Sequence, residues 1–231
     1  MIAQGDTVSV TYSANTVSVT WINPVIDKIY YLHVVETDED SDCSNHKVLA
    51  IQPTNYFDMD IANVNMTGAE ISSTYSTCAP AVTNITWNGT DQVTTDNADD
   101  FTYNYGTLTF YYKITATGIA NTDWKPVFSI GHNSTGTVTA TWDTSIGGEF
   151  TGSLASDASA NTITVSGSNE FYVKVVVALG TSDEGTSERD IEINLDENAS
   201  TDAFGNIVTS TNTDTIDQTI SARPNTGGIS Y

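Results

Sequence analysis

The chain has 231 residues, with 7 Lys and Arg against 29 Asp and Glu, for a net charge of -22. Such a charge repels nucleic-acid phosphates and anionic lipid headgroups, which argues against nucleic-acid partners. No run approaches the roughly 20 apolar residues of a membrane-spanning helix, so direct membrane insertion by a helix is not expected.

At the start, Met1-Ile2-Ala3 reads either as the residue of a cleaved secretory signal peptide, with small Ala3 before Gln4, or as a start added in cloning. From there the dominant pattern is alternation of β-formers with hydroxyl residues, as in Val8-Ser9-Val10-Thr11-Tyr12 and Thr16-Val17-Ser18-Val19-Thr20-Trp21. A period of two sends alternate side chains to opposite faces of a strand. In the first half this predicts strands over 7–12, 16–22, 28–36, 47–52, 70–75, 82–87, 101–105 and 108–116. Turn residues such as Pro24, Pro53, Asn88-Gly89 and Gly106 separate them. The segment Asn55 to Asn65 stays open: Phe57, Ile61 and Val64 fall at helical spacing, while Asp58-Met59-Asp60-Ile61 alternates. In the second half strands are expected over 126–130, 137–142, 149–151, 162–165, 170–179, 190–195, 206–209 and 215–221.

About eight short strands per half gives an all-β expectation of two tandem Ig-like antiparallel β-sandwiches. Thr16-Val17-Ser18-Val19-Thr20-Trp21 is echoed by Thr137-Val138-Thr139-Ala140-Thr141-Trp142, a weak sign of duplication. The expected division is residues 1–3 as leader remnant or added start, 4–118 and 119–222 as the sandwiches, and 223–231 as a linker or strand-donating tail. A rival boundary falls in the acidic stretch near Asp91 to Asp100.

Cys43 and Cys78 are the only cysteines, and in a chain that reads as extracellular a disulfide between them is the economical expectation. It would stabilise the fold by roughly 3 to 4 kcal/mol in the chain-entropy treatment. Oxygen-rich turns suggest Ca²⁺ as a ligand: Asp38, Asp40 and Asp42 alternate in one, and Asp196, Asn198 and Asp202 lie near Gly205 in another. Ca²⁺ takes about six to eight oxygens, though neither turn has the EF-hand register, and solvated acidic turns are the plainer reading. The third cluster, Asp96 with Asp99 and Asp100, is weaker.

His33, His46 and His132 sit in no recognisable catalytic context, and His33 reads as an ordinary strand residue. There is no GxSxG, HExxH or phosphate-cradling glycine loop, so the expectation is that the chain is not an enzyme. Tyr103, Tyr105, Tyr111 and Tyr112, with Trp87 and Trp124, offer an aromatic platform on which sugar rings could stack. Ordinary alternation instead puts Phe110, Tyr112 and Ile114 in a core, together with Trp21, Trp87 and Trp142. N-x-S/T sequons begin at Asn65, Asn84, Asn88, Asn133 and Asn198.

The ending, Gln218-Thr219-Ile220-Ser221-Ala222-Arg223-Pro224-Asn225-Thr226-Gly227-Gly228-Ile229-Ser230-Tyr231, reads as a last strand running into a linker. It resembles the strand-to-linker junctions between Ig-like repeats of large Bacteroidetes cell-surface proteins, such as gliding adhesins and cargo of the type IX secretion system. That resemblance implies a modular extracellular protein, with further Ig-like modules or identical subunits as partners. It also implies O-glycosylation candidates at Thr7 and Thr215, each between Asp and an aliphatic residue. The function expected is a non-catalytic structural module of a surface adhesin, stalk or filament, with calcium and a disulfide as candidate staples and β-augmentation as a route to polymerisation. The alternative is a carbohydrate-binding module for surface glycans.

Overall fold

The structure is a computed structural model that describes residues 8–13, 16–21, 25–37, 40, 43–87, 101–119, 123–179, 187–209 and 215–223. Among these there is no helix, and the protein is all-β. The chain divides into two compact units, 1–56 and 57–231.

In the first unit β1 (Val8–Ser13) pairs antiparallel with β2 (Thr16–Trp21), and β3 (Tyr30–Thr37) pairs antiparallel with β4 (Ser44–Ile51). Trp21 and Tyr30 meet with ring centroids 4.8 Å apart, and the Tyr30 hydroxyl accepts from the Val25 amide at 2.9 Å. Pro53 O accepts from Asp27 N, and Gln52 Nε2 donates to Asp27 O. No described residue of this unit is fully buried; Tyr31, Val34, Val48 and Leu49 are exposed.

The second unit is a sandwich of two five-stranded sheets. One runs in the order β13 (Gly152–Leu154), β12 (Thr137–Asp143), β15 (Glu170–Ala178), β9 (Thr107–Thr117), β5 (Asp58–Val64). The other runs β14 (Ala160–Thr162), β11 (Val127–His132), β16 (Arg189–Leu195), β18 (Thr215–Ser221), β6 (Thr74–Cys78). All pairings are antiparallel except β18 with β6, which is parallel. Two short pairs complete the set: β7 (Thr83–Trp87) with β8 (Phe101–Asn104), and β10 (Trp124–Lys125) with β17 (Thr201–Asp202).

Alternation explains the core. From the first sheet Phe110, Tyr112, Ile114 and Ala116 of β9 and Phe171, Val173, Val175 and Val177 of β15 point inward. From the second come Phe128 and Ile130 of β11, Ile191, Ile193 and Leu195 of β16, and Ile216 and Ile220 of β18, all in one apolar cluster. Burying each such side chain stabilises the fold by roughly 1.5–3 kcal/mol. Trp124 lies fully inside, tilted against Phe171 at 5.7 Å, and its indole N–H donates to Ser168 O at 2.9 Å, so its one polar atom is satisfied. Across the layers the Tyr112 hydroxyl donates to Ile191 O at 2.8 Å. Burial, and secondarily the charge of Asp217, holds that phenol well above its ordinary pKa.

The open segment around 55–65 resolves as strand β5, because Phe57, Met59 and Ile61 alternate into the core. The expected division after residue 118 differs from the one observed. β9, which ends at Thr117, is hydrogen-bonded along its length to β15, and residues from both sides of 118 fill one core. The echoed Thr/Val/Trp segments have different settings: β2 is half of a hairpin, whereas β12 lies inside a five-stranded sheet.

Candidate functional site

The expected site residues are dispersed. Asp38 and Asp42 lie outside the described residues, as do Asp96, Asp99 and Asp100; Asp40 is exposed. Asp202 spends its carboxylate on its own turn: Oδ1 accepts from Phe204 N at 2.9 Å and Asn206 N at 2.8 Å, and Oδ2 from Asn206 Nδ2 at 2.8 Å. Gly205 permits that turn with φ 82°. Asp196 Oδ1 accepts from Ala199 N at 3.0 Å, and its carbonyl accepts from the Ser200 hydroxyl at 2.7 Å. Asp196 and Asn198 do share the lining of a cavity of about 360 Å³ with Ser129, Ala158 and Asn194. Among the described residues no three His, Cys, Asp or Glu side chains converge on one point.

Cys43 and Cys78 are exposed free thiols, so the expected disulfide is not formed. Cys43 precedes β4 in the 1–56 unit and Cys78 ends edge strand β6 of the 57–231 unit. An even cysteine count carries no information about which surfaces present them.

The aromatic platform is not assembled either. Tyr105, Tyr112 and Trp124 are buried in the core, while the side chains of Trp87 and Tyr103 lie outside the described residues. Tyr111 faces the opposite side of its sheet, where it meets Phe150 edge-on at 5.9 Å in a small cluster with Val64 and Tyr172. Tyr172 donates to Glu170 Oε1 at 2.9 Å; partial burial, then that carboxylate, raises its pKa.

Two constellations appear that sequence reasoning missed. The first is a polar seam joining the sheets beside β5 and β18. Asn63 Nδ2 donates to Asp217 O at 2.8 Å and to Ser72 O at 3.2 Å, while Gln218 Nε2 donates to Tyr111 O at 2.9 Å. Both side chains are buried, and Asn63 Oδ1 has no partner among the described residues. Next to the seam a mostly apolar cleft of about 310 Å³ opens between Val64, Ile71, Tyr75 and Tyr111. Only an inward register for Asn63 and Gln218 would have disclosed the seam, and that register depends on strand partners far away in sequence.

The second is a histidine pair on the β3–β4 hairpin. His33 stands opposite Val48 and His46 opposite Val35, so the two imidazoles are diagonal neighbours on one face. His33 Nε2 and His46 Nδ1 are 2.9 Å apart, the rings are 22° from parallel, and His46 Nε2 lies 3.2 Å from Ser44 Oγ. Once a hairpin register is assumed, residues 33 and 46 fall on the same face; the strand reading of His33 alone did not reach that.

No protein-family model matches the chain, and comparison with curated proteins yields no match.

Proposed function

We propose that the chain is a non-catalytic structural module of an extracellular surface assembly, an adhesin, stalk or filament component, in which the 57–231 sandwich carries tension. The strand order supports it. β5-β9-β15-β12 opposite β11-β16-β18 follows the A-B-E-D and C-F-G arrangement of Ig-type sandwiches. The observation that carries the reading is the parallel pairing of β6 with β18, with Thr74 opposite Asp217 through Cys78 opposite Ser221. Tension on the two ends of the unit first loads β5, which is paired with β9; once β5 has come away it pulls β6 from its N-terminal end and β18 from its C-terminal end. In a parallel pair these pulls run in opposite directions along one axis, so the ladder is sheared and its bonds resist together. An antiparallel terminal pair would instead be unzipped one bond at a time.

The seam adds to this resistance, because Asn63 anchors β5 to β18 at the same edge. The strand-donating tail expected over 223–231 lies, beyond Arg223, outside the described residues, and β18 itself already lies between β16 and β6. Among the described strands of the two five-stranded sheets β13, β5, β14 and β6 are edges, and β6, exposed at four of its five residues, is one available for pairing with a neighbour.

Single-molecule pulling between handles at residues 57 and 223 tests the reading. The wild type is expected to release β5 first and then to unfold at high force as the β6–β18 ladder gives way, and Thr77→Pro, which cannot donate to that ladder, to give way at clearly lower force. Unfolding at low force in the wild type, or no change in the variant, overturns the tension-bearing role. A saturable hit on a glycan array would replace it with the sugar-binding alternative.

A further inference from the structure

We propose that His33 and His46 form a two-nitrogen cross-strand site for a divalent transition metal ion, with copper(II) and nickel(II) preferred over zinc. The two strands fix the site: the antiparallel ladder from Tyr30↔Ile51 to Thr37↔Ser44 sets both Cβ positions without any loop contribution. Both rings are exposed, so a cation reaches them without opening the structure.

Distance selects the metal class. Metal–nitrogen bonds of about 2.0–2.1 Å at a right angle put the nitrogens about 2.9 Å apart, whereas a tetrahedral angle requires about 3.3–3.4 Å. The observed separation of His33 Nε2 and His46 Nδ1 is 2.9 Å. That separation is the rings' mutual hydrogen bond, which any ion must replace; it lies nearer the spacing of adjacent tetragonal positions than that of a tetrahedral pair. The order of divalent affinities points the same way, with copper(II) highest.

Ser44 supplies the positioning contact. Its Oγ lies 3.2 Å from His46 Nε2; in the tautomer with the proton on Nε2, His46 donates to Ser44 Oγ and its Nδ1 lone pair faces His33. In that tautomer and without metal, His33 Nε2–H donates to that lone pair across 2.9 Å. On binding, the His33 proton moves from Nε2 to Nδ1 through solvent, so both rings remain neutral and each gives one lone pair. Water fills the remaining positions, and the negative charge of the chain draws cations toward it. The site does not depend on the tension-bearing reading, which concerns the other unit.

The full-length chain titrated with nickel(II) by calorimetry, in millimolar calcium, tests this. One ion per chain is expected, with at least tenfold weaker binding in His33→Gln and in His46→Gln. Ser44→Ala removes no ligand and leaves the strand pairing intact; about a tenfold loss is expected from releasing the His46 ring. His132→Gln and Cys43→Ser serve as controls and should bind as the wild type does. Copper(II) electron paramagnetic resonance should show two coordinated nitrogens, and amide exchange across β3 and β4 should slow on loading. Nickel binding unchanged in the His33→Gln/His46→Gln double variant, a single-nitrogen spectrum, or displacement by calcium overturns the proposal.

Discussion

Asn63 shows how one side chain can govern the spacing of two sheets. Its amide donates to carbonyls of the following loop and of β18, replacing apolar packing at the edge of the sandwich with directed bonds. Asn63→Ala should cost about 2–3 kcal/mol in urea unfolding, because a buried side chain and its hydrogen bonds to the Ser72, Ser73 and Asp217 carbonyls are lost together. Asn63→Asp should cost more, since a carboxylate would face those same carbonyls. Equal losses would mean that the side chain only fills space. Glu70 makes a contrasting case at the surface: Lys113 Nζ lies 2.6 Å from its carboxylate, and the hydrogen bond and charge of that lysine lower its pKa from 4.5. A lowered folded-state pKa contributes stability above the unfolded value and loses it as pH falls through the folded one. Wild type should therefore lose a few tenths of a kcal/mol relative to Glu70→Gln on acidification below about pH 4.5, and no more, because the glutamate is largely exposed. Parallel pH profiles of the two unfolding free energies would remove the pair from the account.

At the scale of elements, β12 and β13 meet where a tryptophan lies over a glycine. Trp142 is paired with Gly152 across the ladder, and its indole covers the position a Cβ would take, with Nε1 only 2.1 Å from that point. The ring then reaches Phe171 edge-on at 6.0 Å, which couples the edge strand to the core. An aromatic laid over a strand glycine restores the packing that the glycine lacks. Gly152→Ala should displace the indole and destabilise the unit by about 1–3 kcal/mol, with a red shift in tryptophan emission. An unshifted spectrum with unchanged stability would show the ring to be free to move. Alternation made most elements legible. β9 and β15 lie within a residue or so of the pattern because nearly all their inward residues are large and apolar, and β18 lies where the pattern puts it because Ile216 and Ile220 flank its inward Gln218. β13 escaped because Gly152-Ser153-Leu154 has almost no pattern, and its place rests on the Trp142 contact instead. The seam and the histidine pair escaped for a related reason: each depends on register between strands, which no single strand encodes.

For the molecule as a whole, the two units differ in what they can stabilise by themselves. The 57–231 unit closes two sheets over one apolar cluster containing Trp124, Phe171 and Ile193, and each inward strand finds its partners inside the unit. Residues 1–56 supply two hairpins and no fully buried described residue. A two-stranded hairpin is marginal in water, since one ladder cannot offset the entropy of ordering its chain. The expected duplication into equal sandwiches would have given each half its own core; the observed division puts the whole described core on one side of residue 57. The fragment 57–231 should therefore unfold cooperatively at a denaturant midpoint close to that of the full chain, while 1–56 should show no cooperative transition. Matched urea titrations followed by tryptophan fluorescence check both, because the core tryptophan Trp124 remains in the larger fragment. A larger fragment that loses its transition would mean that the sandwich needs the hairpins to fold, and the two units would then have to be treated as one cooperative body.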